Sequence, residues 1–359
     1  MSRLILDRRS FLAGAGAVWV ATLLPARAEA LASDDILFAS AFMDSDHTYG
    51  FALVNPAGKI IAQQKLPDRG HSFAANGPDG KAVIFARRPG TFALAFDPRM
   101  RVEPALFSAP EGSHFYGHGL FSPDGKLLYA TENAYETGQG QIGIYDAKHG
   151  FKRVGAFASG GIDPHDMVLM ADGKTLCVAN GGIVTHPDSG RQKLNLDTMK
   201  SVISFIDLNS GTLLESHELP AQLQRLSLRH MAADSSGAIW IGGQYEGDAA
   251  NRPPLIARVG LGQKLVMPEF APEMTNSFGN YIGSVAASTD GKRIAFTSPI
   301  GGTMLIVDAK TAAPLDTRII PKVCGIAPAG DDFLISTENG DMGSQRHDEH
   351  WDNHIGQLI

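Results

Sequence analysis

Residues 118–133 read HGLFSPDGKLLYATEN and residues 165–180 read HDMVLMADGKTLCVAN. The two stretches start 47 positions apart (165 − 118), and the start of a third copy, HSFAANGPDGKAVIFARR, lies 47 positions earlier at His71 (118 − 71). Each copy is a short apolar strand, a tight turn built on Asp-Gly, and a second apolar strand. Asp and Gly accept the backbone angles that a hairpin turn needs. A fixed period of this length, holding several short strands, is the sequence form of a propeller blade.

Further units open outward from this phrase at His230 and Tyr281, turn at SSG and TDG, and enter AIWIG and RIAFT. The runs TFALAFDP, QIGIYDAK, VISFIDLN and TMLIVDAK place an aspartate near the end of each third strand. Strand-like runs at 36–42, 49–55 and 59–65 precede the full units, and a last unit starts at Val323. Five full and two incomplete units suit an all-β fold, a seven-bladed β-propeller with antiparallel four-stranded blades around a central channel. Six blades is the alternative if the terminal strands share one. The interval from His165 to His230 widens to 65 (230 − 165) because residues 185–200 and the LQRLSL segment insert loop, with room for a short helix. A ring closed on itself has no free edge, and no linker is visible, so residues 29–359 read as a single domain. Residues 341–359 form a polar, histidine-rich C-terminal tail.

Residues 1–28 have the form of a twin-arginine signal peptide. Arg8-Arg9 precede Phe11-Leu12, an apolar stretch too short to span a bilayer follows, and Ala26–Ala28 supply small residues for cleavage. The expected address is the periplasm. No later segment approaches 18 continuous apolar residues, so no transmembrane segment is expected after cleavage. Removing residues 1–28 leaves 27 basic (31 − 4) against 37 acidic (38 − 1) residues, moving the net charge from −7 to −10. Such a surface has no bulk attraction for nucleic acid. Cys177 and Cys324 fall in different blades and read as two buried free thiols. A monomer is the expected state.

In a propeller blade, the loop before the innermost strand and the loop after the second strand share one rim beside the channel. The first position holds His71, His118, His165 and His230. The second holds Arg87-Arg88, Glu132-Asn133, Asn180, Gln244-Tyr245-Glu246 and Glu338-Asn339. Four imidazoles from rigid strand starts are suitable ligands for Fe, Cu or Zn, and a carboxylate such as Glu132 favours Fe, Zn or Mn. The candidate metal set is therefore His71, His118, His165, His230 and Glu132. Its placement resembles the all-histidine copper cluster of the nitrous oxide reductase propeller, with too few histidines to match it. Two other readings stay open: a catalytic or small-ligand site without tightly held metal, or histidines that merely bond the next blade's backbone.

Additional candidates are His114, four residues before His118; His47, in a loop that maps to the same face; and Glu338. In the tail, His347, His350 and His354 are spaced i, i+3 and i+7, as on one face of a helix. There is no GxSxG elbow, GxGxxG, Walker sequence or CxxCH, so neither a nucleotide cofactor nor covalent haem is expected. An enzyme on this scaffold would be a lactonase-like hydrolase or a metal-dependent oxidoreductase; a non-catalytic scaffold would bind a protein partner.

The HGLFSPDGKLLYATEN and HDMVLMADGKTLCVANGGI segments, with RRSFL at the head and RHMA further on, resemble an uncharacterised bacterial family of twin-arginine-exported propellers. That resemblance covers essentially the whole mature chain. It implies a setting beside imelysin-like and dihaem-oxidoreductase-like proteins, hence periplasmic iron acquisition, and an imelysin-like partner. It carries no established catalytic residues. The SPDGKLLYATEN pattern is also loosely similar to YVTN and lactonase-type propellers, a likeness of blade geometry and not of function.

Overall fold

The structure, a computed structural model, describes residues 37–76 and 80–358. The signal-like segment, with Arg8, Arg9 and the 26–28 site, lies outside the described residues. Seven antiparallel sheets follow one another around a ring. In the second blade the chain runs outward from Gly70–Asn76 through Lys81–Ala86 and Phe92–Phe96 to Ala105–Ser108. The inner strands of blades three to seven are Ser113–Phe121, Pro164–Leu169, Leu226–Ala233, Ser284–Ala287 and Val323–Ala329. Together with those of blades one and two they neighbour one another in an unbroken circle. Blade five departs from the four-stranded pattern: outside Ile256–Val259 only a single bridge, Arg258 to Val266, stands where a fourth strand would be.

The ring closes through the tail. The first blade has the order His350–Gln357, Phe38–Met43, Tyr49–Val54, Ile60–Leu66, so the last strand of the chain is its innermost one. The register pairs Phe38 with Gln357 and Met43 with His350. The helical face suggested by the spacing of His347, His350 and His354 is thus not formed. The Phe38–Met43 strand would otherwise present a row of unpaired N–H and C=O groups. Trp351, buried edge-on against Phe42 with ring centroids 6.0 Å apart, anchors the extended form. Just ahead of it, Asp341–Met342 and Gln345–Arg346 complete blade seven.

The repeated turns are structural. Gly125, Gly173 and Gly291 all have φ 65°, the left-handed region that favours glycine. Asp124 accepts from Ser122 Oγ (2.7 Å) and from the Lys126 backbone N–H (3.1 Å), closing the Ser-Pro-Asp-Gly turn. The third-strand aspartates Asp146, Asp207 and Asp308 bond the backbone N–H groups of their own hairpins in the same way. Apolar faces of neighbouring blades pack between sheets; Trp240, Phe205 and Phe296, from blades five, four and six, share the largest of these clusters. Cys177 and Cys324 are buried free thiols in different blades. Among the described residues helix is confined to short turns, Pro187–Ser189, Ala221–Leu223 and Pro272–Ser277; the first lies in the loop that widens the interval between His165 and His230, the second in the neighbouring segment.

Candidate metal centre

The inner strands break register at or beside the histidines. Shifts fall between Gly70 and Phe73, Phe115 and Gly119, Pro164 and Asp166, and Leu228 and His230. In the closing strand the shift lies between Trp351 and Ile355, opposite Ser40 and Phe42. A bulge breaks the strict alternation of a strand and re-aims a side chain. Here it gathers His71, His118, His165, His230 and His354 into one buried cluster, from five blades. Blade six contributes Tyr281 nearby, and blade seven carries Cys324 and Gly325 at its own bulge.

His354 sits among the others: its ring centroid is 4.5 Å from that of His71, 4.7 Å from His230 and 4.8 Å from His118. His165 and His230 are 4.8 Å apart, and His71 and His118 5.1 Å. Two overlapping triads, His71–His118–His165 and His118–His230–His354, each bring one ring nitrogen per residue within 4.8 Å of the others. Nitrogens sharing one tetrahedral ion with 2.0–2.1 Å bonds are about 3.4 Å apart, so each triad would have to draw in by up to about 1.4 Å to close on a metal. His118 belongs to both.

Two carboxylates aim these rings. Asp166 Oδ1 is 3.0 Å from His118 Nδ1, while its other oxygen accepts the Met231 backbone N–H (3.0 Å). Asp352 Oδ1 is 3.2 Å from His71 Nδ1, and Asp352 also receives Arg87 and Arg69. A ring N–H given to a carboxylate fixes the tautomer and leaves the second nitrogen as a lone-pair donor, the usual support of a metal-bound histidine. Among the described residues, His118 Nε2, His165 Nδ1, His230 Nδ1 and His354 Nε2 are buried with no hydrogen-bond partner. Unpartnered buried nitrogens on this scale are compatible with a metal site, because each forfeits solvation unless an ion or a water meets it. The alternative of histidines bonded to the next blade's backbone finds no such bond at these atoms.

Burial and mutual proximity keep several rings neutral. Burial, then the charge of His354, holds His71 well below its ordinary value, against the pull of Asp352. Burial, then His230, Arg229, Arg88 and His118, does the same to His165. Burial, then His354, lowers His230. His354 is brought down to about 3, first by burial and then by His118. Neutral imidazole is the form that binds a metal ion.

The remaining candidates stand elsewhere. Glu132 is buried inside blade three, where Tyr145 Oη donates to it and Arg153 Nη2 lies 2.8 Å from its Oε2. The structure does not bring it to the histidines; it already has two strong donors within its own blade. His114 donates from Nδ1 to Phe115 O (2.9 Å) and accepts at Nε2 from Asn133 (3.0 Å), a satisfied core histidine. Burial first lowers its pKa to about 4. His47 is exposed in a turn with φ 59°. Glu338 pairs with Lys322 at 3.2 Å, His350 Nδ1 bonds Glu338 O (2.8 Å), and His347 Nε2 bonds Gly58 O (2.9 Å). Asp166, Asp352 and Arg229 were not singled out from sequence. The visible signal was an acid or arginine within two positions of a channel histidine, in HD at 165–166, DNH at 352–354 and RH at 229–230.

Comparison with known proteins places the fold. The structure is similar to a chain of the solved Kuenenia stuttgartiensis hydrazine synthase, at 15% identity, covering 83% of this chain and 89% of that one, with a TM-score of 0.61. It is likewise similar to the β-propeller domain of Myceliophteria thermophila Cps50 (Swd1), at 11% identity, covering 81% and 89% respectively, with a TM-score of 0.57. At these identities the likeness is one of fold. No curated protein sequence matches the chain. A family model does match, over residues 64–358, which takes in the inner strands of blades two to seven and the closing strand with His354. The chain therefore belongs to the family described as "Protein of unknown function (DUF1513)", a propeller family by its structure.

Proposed function

We propose that this protein binds one transition-metal ion at the five-histidine cluster, at the channel mouth on the face where the inner strands begin, and serves metal uptake or handling. The observation that carries this reading is the set of buried, unpartnered ring nitrogens on His118, His165, His230 and His354, with His71 and His118 aimed by Asp352 and Asp166. An all-imidazole donor set suits Fe, Cu and Zn alike. With Glu132 engaged in its own blade, the preference for iron rests on the resemblance to exported propellers set beside iron-uptake proteins. On that same resemblance the protein works in the periplasm after twin-arginine export, with an imelysin-like partner. The cavity beside the histidines, about 10 Å3, is far too small to enclose a lactone, which disfavours a hydrolase there.

Elemental analysis of the exported protein, purified without a histidine tag, tests the reading. Near one equivalent of Fe, Cu or Zn is expected, with a chelator lowering the melting temperature and the metal restoring it. Protein that carries no metal and whose melting point ignores all three ions would overturn it.

A further inference from the structure

Above the histidines the cluster opens into a small cavity lined by Arg87, Arg88, Arg191, Arg229, Tyr116 and Tyr281. His71, His165 and His230 form its floor. Arg87 pairs with Asp352 (3.0 Å), Arg88 with Asp163 (2.9 Å) and Arg229 with Glu246 (3.0 Å). Asp352 must also serve Arg69 and His71, and Glu246 also takes Lys193. Arg191, from the loop over the cavity, has no carboxylate partner among the described residues and keeps one side open to solvent.

The charges do not cancel. Arg69, Arg87, Arg88, Arg191, Arg229, Lys193 and Lys322 are seven cations; Asp163, Asp166, Asp352, Glu246 and Glu338 are five carboxylates. This excess of two positive charges sits in a chain whose formal charge is −7. Arg87, then loss of solvation, then Arg88 push Arg191 down to about 10, a sign of like charges facing one another. Independently, the Tyr116 hydroxyl is buried against this cavity with no hydrogen-bond partner within bonding geometry among the described residues, and the Thr185 hydroxyl is engaged by His114 Nε2 at 3.3 Å.

We propose that this arginine-lined cavity binds a small oxyanion, a carboxylate or a phosphate, directly over the histidine cluster. Guanidinium groups are the side chains best matched to such anions, and the cavity has room at its base for about one anion oxygen. The rest of the anion lies towards Arg191 and solvent, and the Tyr116 hydroxyl gains an acceptor. The anion's role beside a metal rests on the metal reading above, because neutral imidazoles bring no charge to offset an ion. The anion site itself rests on the arginines.

Calorimetric titration of the metal-free, untagged mature chain at low ionic strength tests this, with inorganic phosphate and acetate as separate probes. One equivalent of phosphate, acetate or both should bind, and the stronger probe identifies the class. Arg191→Gln, at a solvent-facing position, should weaken binding tenfold or more, and Tyr116→Phe severalfold, whereas Lys126→Gln in a remote turn should leave it unchanged. Absence of binding by both probes, or equal weakening by Arg191→Gln and Lys126→Gln, would refute the site. Cobalt(II) titration in buffer free of both probes separates the two ideas. Phosphate or acetate binding without cobalt binding removes the metal reading alone; cobalt binding without either anion removes this one alone.

Discussion

His71 and His354 stand 4.5 Å apart, ring to ring, although one opens the second blade and the other lies in the last strand of the chain. Closing the ring and completing the histidine cluster are therefore the same event. Trp351→Ala removes the anchor of that strand, a side chain only 2% exposed, and should cost about 3–5 kcal/mol. Metal affinity should fall with it. Thermal melts and metal competition on this variant check the link; lost stability with wild-type affinity would break it.

Within the cluster the histidines are not equivalent. His118 belongs to both triads, so His118→Ala should abolish tight binding. His354→Ala leaves the first triad and should weaken binding without eliminating it. His347→Ala and His350→Ala, whose rings bond backbone carbonyls, should leave affinity unchanged. Competition against a chromophoric chelator gives the order directly.

Asp166 is a positioning residue. Asp166→Asn keeps the shape but takes away the charge that holds His118 in one tautomer, and should lower metal affinity roughly 10- to 100-fold. A cobalt(II)-loaded sample provides the reading that a mere packing role would not move: its visible absorption should shift, since the geometry about His118 relaxes. An unchanged spectrum with unchanged affinity would deny Asp166 this part.

Glu132 offers the opposite dissociation. Glu132→Gln weakens its bonds to Arg153 and Tyr145 within blade three and should cost about 2 kcal/mol of stability. Metal stoichiometry and affinity should match the parent. Loss of metal in a well-folded Glu132→Gln protein would return this residue to the site.

Acid should destabilise the metal-free protein over a definite range. His71, His165, His230 and His354 have folded-state pKa values below the 6.5 of an unfolded histidine, burial being the first cause for each. Below pH 6.5 the unfolded chain takes up protons that the folded one refuses, so stability falls as pH falls, down to about 3 in the case of His354. Each such ring contributes up to about 1.4 kcal/mol per pH unit inside its window. Melting temperatures of chelator-treated protein at pH 7.5 and 5.5 should differ by several degrees, about 5 °C or more. A flat profile would contradict the burial of these rings.

The fold was legible in sequence because its information is local. A 47-residue period and Asp-Gly turns recur inside each blade, and they needed no long-range contact to be read. The same periodicity put His71, His118, His165 and His230 at equivalent positions, all of which converge. His354 was ambiguous for a physical reason: its pairing partner lies near the opposite end of the chain, and spacing alone is as consistent with a helical face. Glu132 shows the limit of the rim argument. It ends a second strand, as expected, but alternation turns its side chain into the blade. The orienting acids were hidden because a single Asp beside a His is common, and only the bulges show which one faces a neighbouring ring.

The closing strand carries one more implication. Any chain that ends before residue 354, whether a nascent chain, a clipped product or a truncated variant, lacks both its innermost strand in the first blade and the fifth histidine. Such a fragment cannot present the complete donor set, however well its other blades form. Binding with the affinity of the full five-ring set would thus report that the two terminal strands of the first blade have met.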